Sequence, residues 1–153
     1  MGKEKSEESA IPHFILIDDD PINNIICSRI IKASIPHATV QAFTDPEKGL
    51  VYIQSTYAAS HVGSAVLFLD INMPSLTGWD VLDRFKNFSD CTKEHVKIFM
   101  LSSSVSTSDK EKAKNNLLIS GYISKPLSGA ALHSVVPGYT YGALGGNTSF
   151  IAA

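Results

Sequence analysis

Short apolar runs alternate along the chain with segments that have helical periodicity. Most of the runs are continuous rather than alternating in polarity, which is typical of strands buried on both faces of a parallel sheet. They predict five strands, at residues 14–17, 39–43, 66–69, 98–101 and 122–123.

Between these runs, start signals and apolar spacing predict five helices. Asp20-Pro21 and Asp45-Pro46 each place a capping side chain before a proline that suits the first helical turn. Apolar residues then recur at helical spacing, as with Ile22, Ile25 and Ile26 after the first signal. The predicted helices begin at Pro21, at Pro46 and near Thr77, and the last two cover residues 109–118 and 128–136.

Strands that alternate with helices predict a parallel sheet with right-handed crossovers and helices on both faces. The predicted fold is therefore α/β, a doubly wound, flavodoxin-like three-layer sandwich. Its five-stranded sheet is expected to have the strand order 2-1-3-4-5, a common order in such folds. One domain at residues 12–136 accounts for these elements. A polar N-terminal tail at 1–11 precedes it, and a C-terminal tail at 137–153 follows, in which we expect no effector domain.

Composition and charge narrow the range of functions. The chain has 153 residues, 44% of them hydrophobic, which suffices for one packed domain. Its formal net charge of -2 provides no basic excess for a phosphate backbone, so direct binding of nucleic acid is not expected. No stretch approaches the roughly 20 apolar residues of a membrane span. We expect a cytoplasmic protein that does not bind membranes.

Polar side chains follow the predicted strands at the edge where an open parallel sheet binds its ligands. The first strand is followed by Asp18 and Asp19, the third by Asp70, the fourth by Ser102 and the fifth by Lys125. With the order 2-1-3-4-5 the carboxylates come from neighbouring strands, and their repulsion favours a bound cation such as Mg²⁺. Lys125 and Ser102 add a positive charge and a hydrogen-bond donor for phosphate oxygens. The residues alone therefore predict a Mg²⁺-dependent site that forms an acyl phosphate on an aspartate.

Five sequence blocks resemble the receiver domain of two-component response regulators. The first ends in Asp18-Asp19-Asp20-Pro21, the second runs over residues 67–74, and the third is Gly78, eight residues after Asp70. The others lie at residues 98–103 and 121–126. The resemblance covers about residues 12–136 and points to a single-domain, chemotaxis-regulator-like receiver.

This resemblance implies roles for the residues at the strand ends. Asp70 would be the phosphoacceptor. Asp19, Asp70 and the main-chain carbonyl of Asn72 would bind Mg²⁺, and Asp18 would act on the metal through water. Ser102 and Lys125 would contact the phosphoryl group.

The resemblance also implies a switch and structural positions. Tyr122 would be the switch aromatic that packs inward when Ser102 moves toward the phosphate. The Lys125-Pro126 bond is expected to be cis, which proline tolerates. Gly78 is expected to relieve crowding where the third helix begins. We expect Asp20 to be a helix cap rather than a metal ligand.

The function predicted from the sequence is a signalling switch rather than an enzyme. Its receiver would take a phosphoryl group from a histidine kinase or histidine phosphotransfer protein and, as a monomer or weak homodimer, signal through a changed protein-binding surface. One alternative is a haloacid-dehalogenase-like phosphohydrolase that uses Asp18 and Asp20, although it would leave Asp70 without a role. Another is a pseudo-receiver scaffold that is never phosphorylated.

Overall fold

The computed structural model describes residues 12–59, 63–136 and 150–152. Within this part of the chain, six strands form one sheet in the order β2-β1-β3-β4-β5-β6. The first five are parallel, and β6 is antiparallel to β5. The strands are β1 His13–Ile17, β2 Thr39–Phe43, β3 Ala65–Leu69, β4 Val96–Ser102, β5 Ile119–Ser124 and β6 Phe150–Ala152. The helices are α1 Pro21–Ser34, α2 Pro46–Thr56, α3 Gly78–Phe85, α4 Asp90–His95, α5 Thr107–Lys114 and α6 Gly129–Val135.

The core has two halves, one on each face of the sheet. Along β1, Ile15 packs with residues of α2, α3 and α5, whereas Phe14 and Leu16 face α1 and α6. Each fully buried side chain of this size stabilises the fold by roughly 1.5–3 kcal/mol. The predicted doubly wound three-layer fold with strand order 2-1-3-4-5 is therefore confirmed.

The predicted helix starts are confirmed by their caps. The Asp20 carboxylate accepts a hydrogen bond from the Ile22 amide, and the Asp45 carboxylate accepts one from the Glu47 amide. These caps satisfy amide groups that have no partner inside the helix, and so they define where α1 and α2 begin.

The helix α4 was not predicted. Its six residues place only Thr92 in the core, so they show no apolar stripe to detect. Ser89 caps it by accepting the Thr92 amide. The chain between α3 and β4 therefore forms a second short helix rather than a simple turn.

The C-terminal part of the fold also departs from the sequence expectation. The helix predicted over residues 109–118 is α5, which ends at Lys114, because the following residues lead into a longer β5. Residues 150–152, predicted as part of a tail, form the edge strand β6. Residues 1–11, 137–149 and 153 of the predicted tails lie outside the described part of the chain. No helix among the described residues is long and apolar enough to cross a membrane.

Candidate functional site

The carboxyl ends of β1 and β3 bring two aspartates together. Beyond the regular ladder, the Asp70 amide donates to the Ile17 carbonyl at 2.9 Å, and the Asp18 amide donates to the Phe43 carbonyl at 3.1 Å. These bonds hold both residues at the switch point of the sheet, where ligands of doubly wound folds bind. Both side chains are buried.

Three carboxylates converge at this edge. One oxygen each of Asp18, Asp19 and Asp70 lies within 4.8 Å of the others. Asp19 is exposed, so the cluster opens to solvent on one side. An all-oxygen donor set of this kind fits a hard divalent cation such as Mg²⁺, and the crowding of negative charge favours one.

Lys125 reaches this cluster from β5. Its Nζ lies 2.6 Å from Asp18 Oδ2 and 3.4 Å from Asp70 Oδ1. Its amide donates to the Ser102 carbonyl at 2.9 Å, and the peptide bond to Pro126 is cis, as expected. The lysine therefore bridges the two buried carboxylates.

The electrostatics of the site depend on burial and on these charges. Burial, together with the charge of Asp18, raises the pKa of Asp70, although Lys125 and a hydrogen bond from the Asn72 amide oppose the shift. Burial acts to lower the pKa of Lys125, but its hydrogen bond to Asp18 and the charge of Asp70 outweigh burial and raise that pKa. A cation that joined the cluster would favour the ionised form of Asp70.

Ser102, at the end of β4, is fully buried. Its Oγ accepts a hydrogen bond from the Ser104 amide at 3.1 Å. The Tyr122 hydroxyl donates to the Ser104 carbonyl at 3.1 Å, and the Ser104 hydroxyl donates to Asp109 Oδ2 at 3.0 Å. Ser104 thus connects Ser102 with β5 and with the first turn of α5.

Tyr122 is buried in the core rather than half-exposed with its hydroxyl in water. That inward position is the one that the resemblance associates with a displaced Ser102. The signalling role of Tyr122 stays a prediction.

Two positioning residues, Gly78 and Asn24, support the site. A Cβ on Gly78 would lie 2.5 Å from the Asp70 carbonyl oxygen, so this position requires glycine, as the sequence suggested. Buried Asn24 donates through Nδ2 to the carbonyls of Asp18 and Phe43, at 3.0 and 3.3 Å. Sequence reasoning missed Asn24 and Ser104, because neither belongs to a strand end that carries chemistry. Asn24 lies with Cys27 and Ile31 on the buried face of α1, whereas the isoleucines that the sequence pattern singled out are exposed, so the pattern gave no signal for it.

The structure brings four of the predicted site residues into one cluster, and the others do not belong to it. Asp18, Asp19, Asp70 and Lys125 form one cluster. Asn72 lies on the loop that follows Asp70 and contacts its carboxylate through the backbone amide. Asp20 is a cap of α1 and lies outside the cluster.

Comparisons with known proteins agree with this fold. The sequence model of the response regulator receiver domain matches residues 14–137. Stress response regulator protein 1 of Scheffersomyces stipitis is 34% identical over 79 residues, which are 52% of this chain. They are 25% of that relative, so the match spans about a quarter of the relative's length.

Solved structures of receivers superpose on most of the chain. A response regulator receiver protein from Dyadobacter fermentans has a TM-score of 0.75 at 22% identity, covering 81% of this chain and 94% of its own. A two component response regulator from Cytophaga hutchinsonii has a TM-score of 0.74 at 33% identity, covering 82% and 93%. The chemotaxis protein CheY4 of Vibrio cholerae has a TM-score of 0.62 at 20% identity, covering 82% and 96%.

A doubly wound sheet with an acidic cluster and a lysine at its switch point is the arrangement that the resemblance led us to expect, and the sequence model that matches most of the chain assigns the class. The chain belongs to the response regulator receiver domain family. This assignment is consistent with two-component and phosphorelay signalling. The phosphohydrolase and pseudo-receiver alternatives are not favoured by any of these similarities.

Proposed function

We propose that this receiver accepts a phosphoryl group from a phosphohistidine onto Asp70 in a Mg²⁺-dependent reaction. The observation that carries the proposal is the contact of Lys125 with both Asp18 and Asp70 beside the exposed Asp19. Phosphoryl transfer depends chiefly on positioning and on neutralising charge, which this cluster supplies.

In the proposed reaction, an Asp70 oxygen forms a bond to phosphorus while the bond from phosphorus to the donor's imidazole nitrogen breaks. The released imidazole nitrogen takes up a proton. Bound Mg²⁺, held by Asp19, Asp70 and the Asn72 carbonyl with Asp18 acting through water, would neutralise phosphoryl oxygens. Lys125 would shift its ion pair from Asp70 to the phosphoryl group, and Ser102 would donate its hydroxyl to another oxygen.

The proposed output is a change in the surface formed by α5, β5 and α6. If the Ser102 hydroxyl turns toward the phosphoryl group, its bond to the Ser104 amide is altered, and Ser104 holds both Tyr122 and Asp109. Phosphorylation would thereby shift an equilibrium between two packings of this region. In this proposal the domain is a switch rather than an enzyme, and its output is a contact with another protein.

The phosphodonor is proposed to dock on α1. Ile22, Ile25 and Ile26 are exposed there, by 64%, 52% and 43% respectively, beside the strand end that carries Asp18. A cavity of about 310 Å³ lies between α1 and the loop at Pro126, and Ile26 lines it. Exposed apolar residues next to a reactive group favour a protein donor. Cytoplasmic location and a monomer or weak homodimer stay predictions.

Labelling with acetyl phosphate and Mg²⁺, read by intact mass, tests this function. We expect the wild-type chain to gain one phosphoryl group and Asp70→Asn to gain none. Asp83→Asn, which changes an exposed carboxylate of α3, is the matched control and should label like the wild type. A mass gain on Asp70→Asn, or no mass gain on the wild-type chain, would contradict the proposal.

A further inference from the structure

The outer edge of β5 is covered by the chain itself. On one side β5 pairs with β4, and on the other it pairs with β6, with Gly121, Tyr122 and Ile123 opposite Ala152, Ile151 and Phe150. A strand with one free edge is a template for pairing with another chain. Among the described residues, β6 is the segment that prevents such pairing at β5.

The pairing covers the half of β5 that leads into the functional site. Ser124 and Lys125 directly follow the paired residues, and Lys125 contacts both buried carboxylates. Besides β5, β6 lies next to α5, whose first turn holds Asp109. The strand therefore contacts the two elements that Ser104 links to Ser102.

The position of Tyr122 depends on the same surroundings. Its ring packs on the face of the sheet that α5 covers, together with Ala113. β6 lies beside both β5 and α5. If the Tyr122 ring left the core on the β6 side, it would therefore meet β6. Docked β6 therefore favours the inward position of Tyr122, in which its hydroxyl donates to Ser104.

The short length of β6 makes its docking reversible. Three residues form few interstrand hydrogen bonds, and ordering their backbone opposes the gain. Such a contact can be displaced by a change in β5 or by a competing strand.

We propose that β6 is an intramolecular edge strand that closes the β5 edge to other chains, and that its docking is coupled through Tyr122 and Ser104 to phosphorylation of Asp70. The coupling rests on the proposed function, whereas the docking does not. Linkage is reciprocal, so phosphorylation strengthens docking by the same factor by which docking favours phosphorylation.

Residue-resolved amide hydrogen exchange on the full chain tests the docking. Ile151→Pro fixes φ at about −65°, far from the roughly −140° of an antiparallel strand, so it should undock β6 whichever way the amide of residue 151 points. Ile151→Thr keeps the amide and the β-branched side chain, so it is the matched control. We expect the β6-facing amides within residues 121–123 to exchange at least tenfold faster in Ile151→Pro than in Ile151→Thr or the wild type. Amides of β1 and β3 should keep their protection in every variant, which shows that the domain stays folded.

The coupling is tested with acetyl phosphate and Mg²⁺. We expect labelling to slow exchange at the same β5 amides several-fold in the wild type and to leave them unchanged in Asp70→Asn. At the same donor concentration, Ile151→Pro should reach a several-fold lower ratio of phosphorylated to unphosphorylated chain than Ile151→Thr.

Each contrary result has a separate meaning. Unprotected β5 edge amides in the wild type would overturn the docking, with or without labelling. Protected amides that do not respond to labelling, or equal labelling of the two Ile151 variants, would overturn the coupling alone. A wild-type chain that gains no phosphoryl mass would overturn the proposed function and the coupling, while the exchange comparison still decides the docking.

Discussion

The carboxylate of Asp70 combines burial with a like-charged neighbour. Burial and the charge of Asp18 raise its pKa, and Lys125 is the counterion that limits the rise. A carboxyl with a raised pKa binds its proton more tightly in the folded state than in the unfolded state. The group that we propose as the phosphoacceptor therefore costs folding stability at neutral pH.

Asp70→Asn is expected to stabilise the protein by roughly 1 kcal/mol at pH 7, or a few degrees in Tm, because it removes a buried negative charge. The penalty arises once the pH exceeds the ordinary carboxyl pKa of 3.8, since the unfolded chain then loses its proton first. It is present in full above the raised folded pKa. The gain should therefore shrink as the pH falls toward 4, and urea unfolding measures it.

Added Mg²⁺ provides the control for that measurement. It should stabilise the wild type and have little effect on Asp70→Asn, because binding to the native state alone shifts unfolding by mass action. A variant that is less stable than the wild type at pH 7 would contradict the electrostatic account.

The contacts of His13 predict a second pH dependence of folding stability. His13 is the first residue of β1, so it lies at the end of that strand opposite to the acidic cluster. Its Nδ1 contacts the Tyr57 hydroxyl, and its Nε2 lies 3.1 Å from the Tyr52 hydroxyl. Burial lowers the pKa of His13 below its ordinary value of 6.5. The unfolded chain therefore binds the proton first, so stability is full above pH 6.5 and falls as the pH drops through the folded pKa.

We expect the free energy of unfolding to fall less between pH 7.5 and 5.5 in His13→Gln than in the wild type. His37→Gln, at an exposed position, should keep the wild-type dependence. Urea unfolding at both pH values gives the comparison. If the free energy of unfolding of His13→Gln falls as much between the two pH values as that of the wild type, the role of His13 is contradicted.

At the scale of elements, the start of α3 is held against the strand end that carries Asp70. The Gly78 amide donates to the Ile71 carbonyl at 2.8 Å, and the Thr77 hydroxyl and Asp80 carboxylate form a reciprocal cap. No side chain fits between Gly78 and the Asp70 backbone. The packing of the start of α3 therefore fixes the conformation of the loop that follows Asp70.

Gly78→Ala is expected to destabilise the protein by about 1–3 kcal/mol, because the new Cβ would meet backbone atoms of Asp70 and Ile71 that cannot move independently. It should also slow labelling of Asp70. Gly63→Ala is the control, since nothing lies within 4 Å of its added Cβ. Thermal unfolding checks the pair, and equal stability of the two variants would contradict the close approach.

At the scale of the whole molecule, one exposed surface of α1 is apolar. α1 buries Cys27 and Ile31 against the sheet, yet its isoleucines at 22, 25 and 26 stay exposed. Ile22 lies in the first turn of α1, and Ile26 lines a cavity together with Lys125, which contacts Asp70. We therefore propose that a phosphodonor that covers these isoleucines brings its phosphoryl group to Asp70.

Ile22→Asp should slow phosphotransfer from a phosphohistidine protein about tenfold, because it places a charge in the proposed contact. Labelling by acetyl phosphate, which needs no protein contact, should change less than twofold. Val51→Asp is the matched control, since Val51 is 65% exposed on α2 and Ile22 is 64% exposed. Equal transfer rates for the two variants would contradict docking on α1.

The sequence by itself determined most of the elements and the chemistry at the strand ends. Apolar runs, most of them continuous, identified the five parallel strands, and the caps Asp20 and Asp45 identified two helix starts, because both signals are local. Topology then brought Asp18, Asp70 and Lys125 to one edge without any knowledge of side-chain positions.

Only the tertiary structure decided what depends on contacts between distant segments. The link of Tyr122 to Ser102 through Ser104, the support of Asp18 by Asn24 and the pairing of β6 with β5 join residues that are not neighbours in the chain. The helix α4 buries a single threonine, so its sequence carries no periodic signal. Such features arise because packing and backbone pairing choose among local conformations that the sequence pattern leaves equally acceptable.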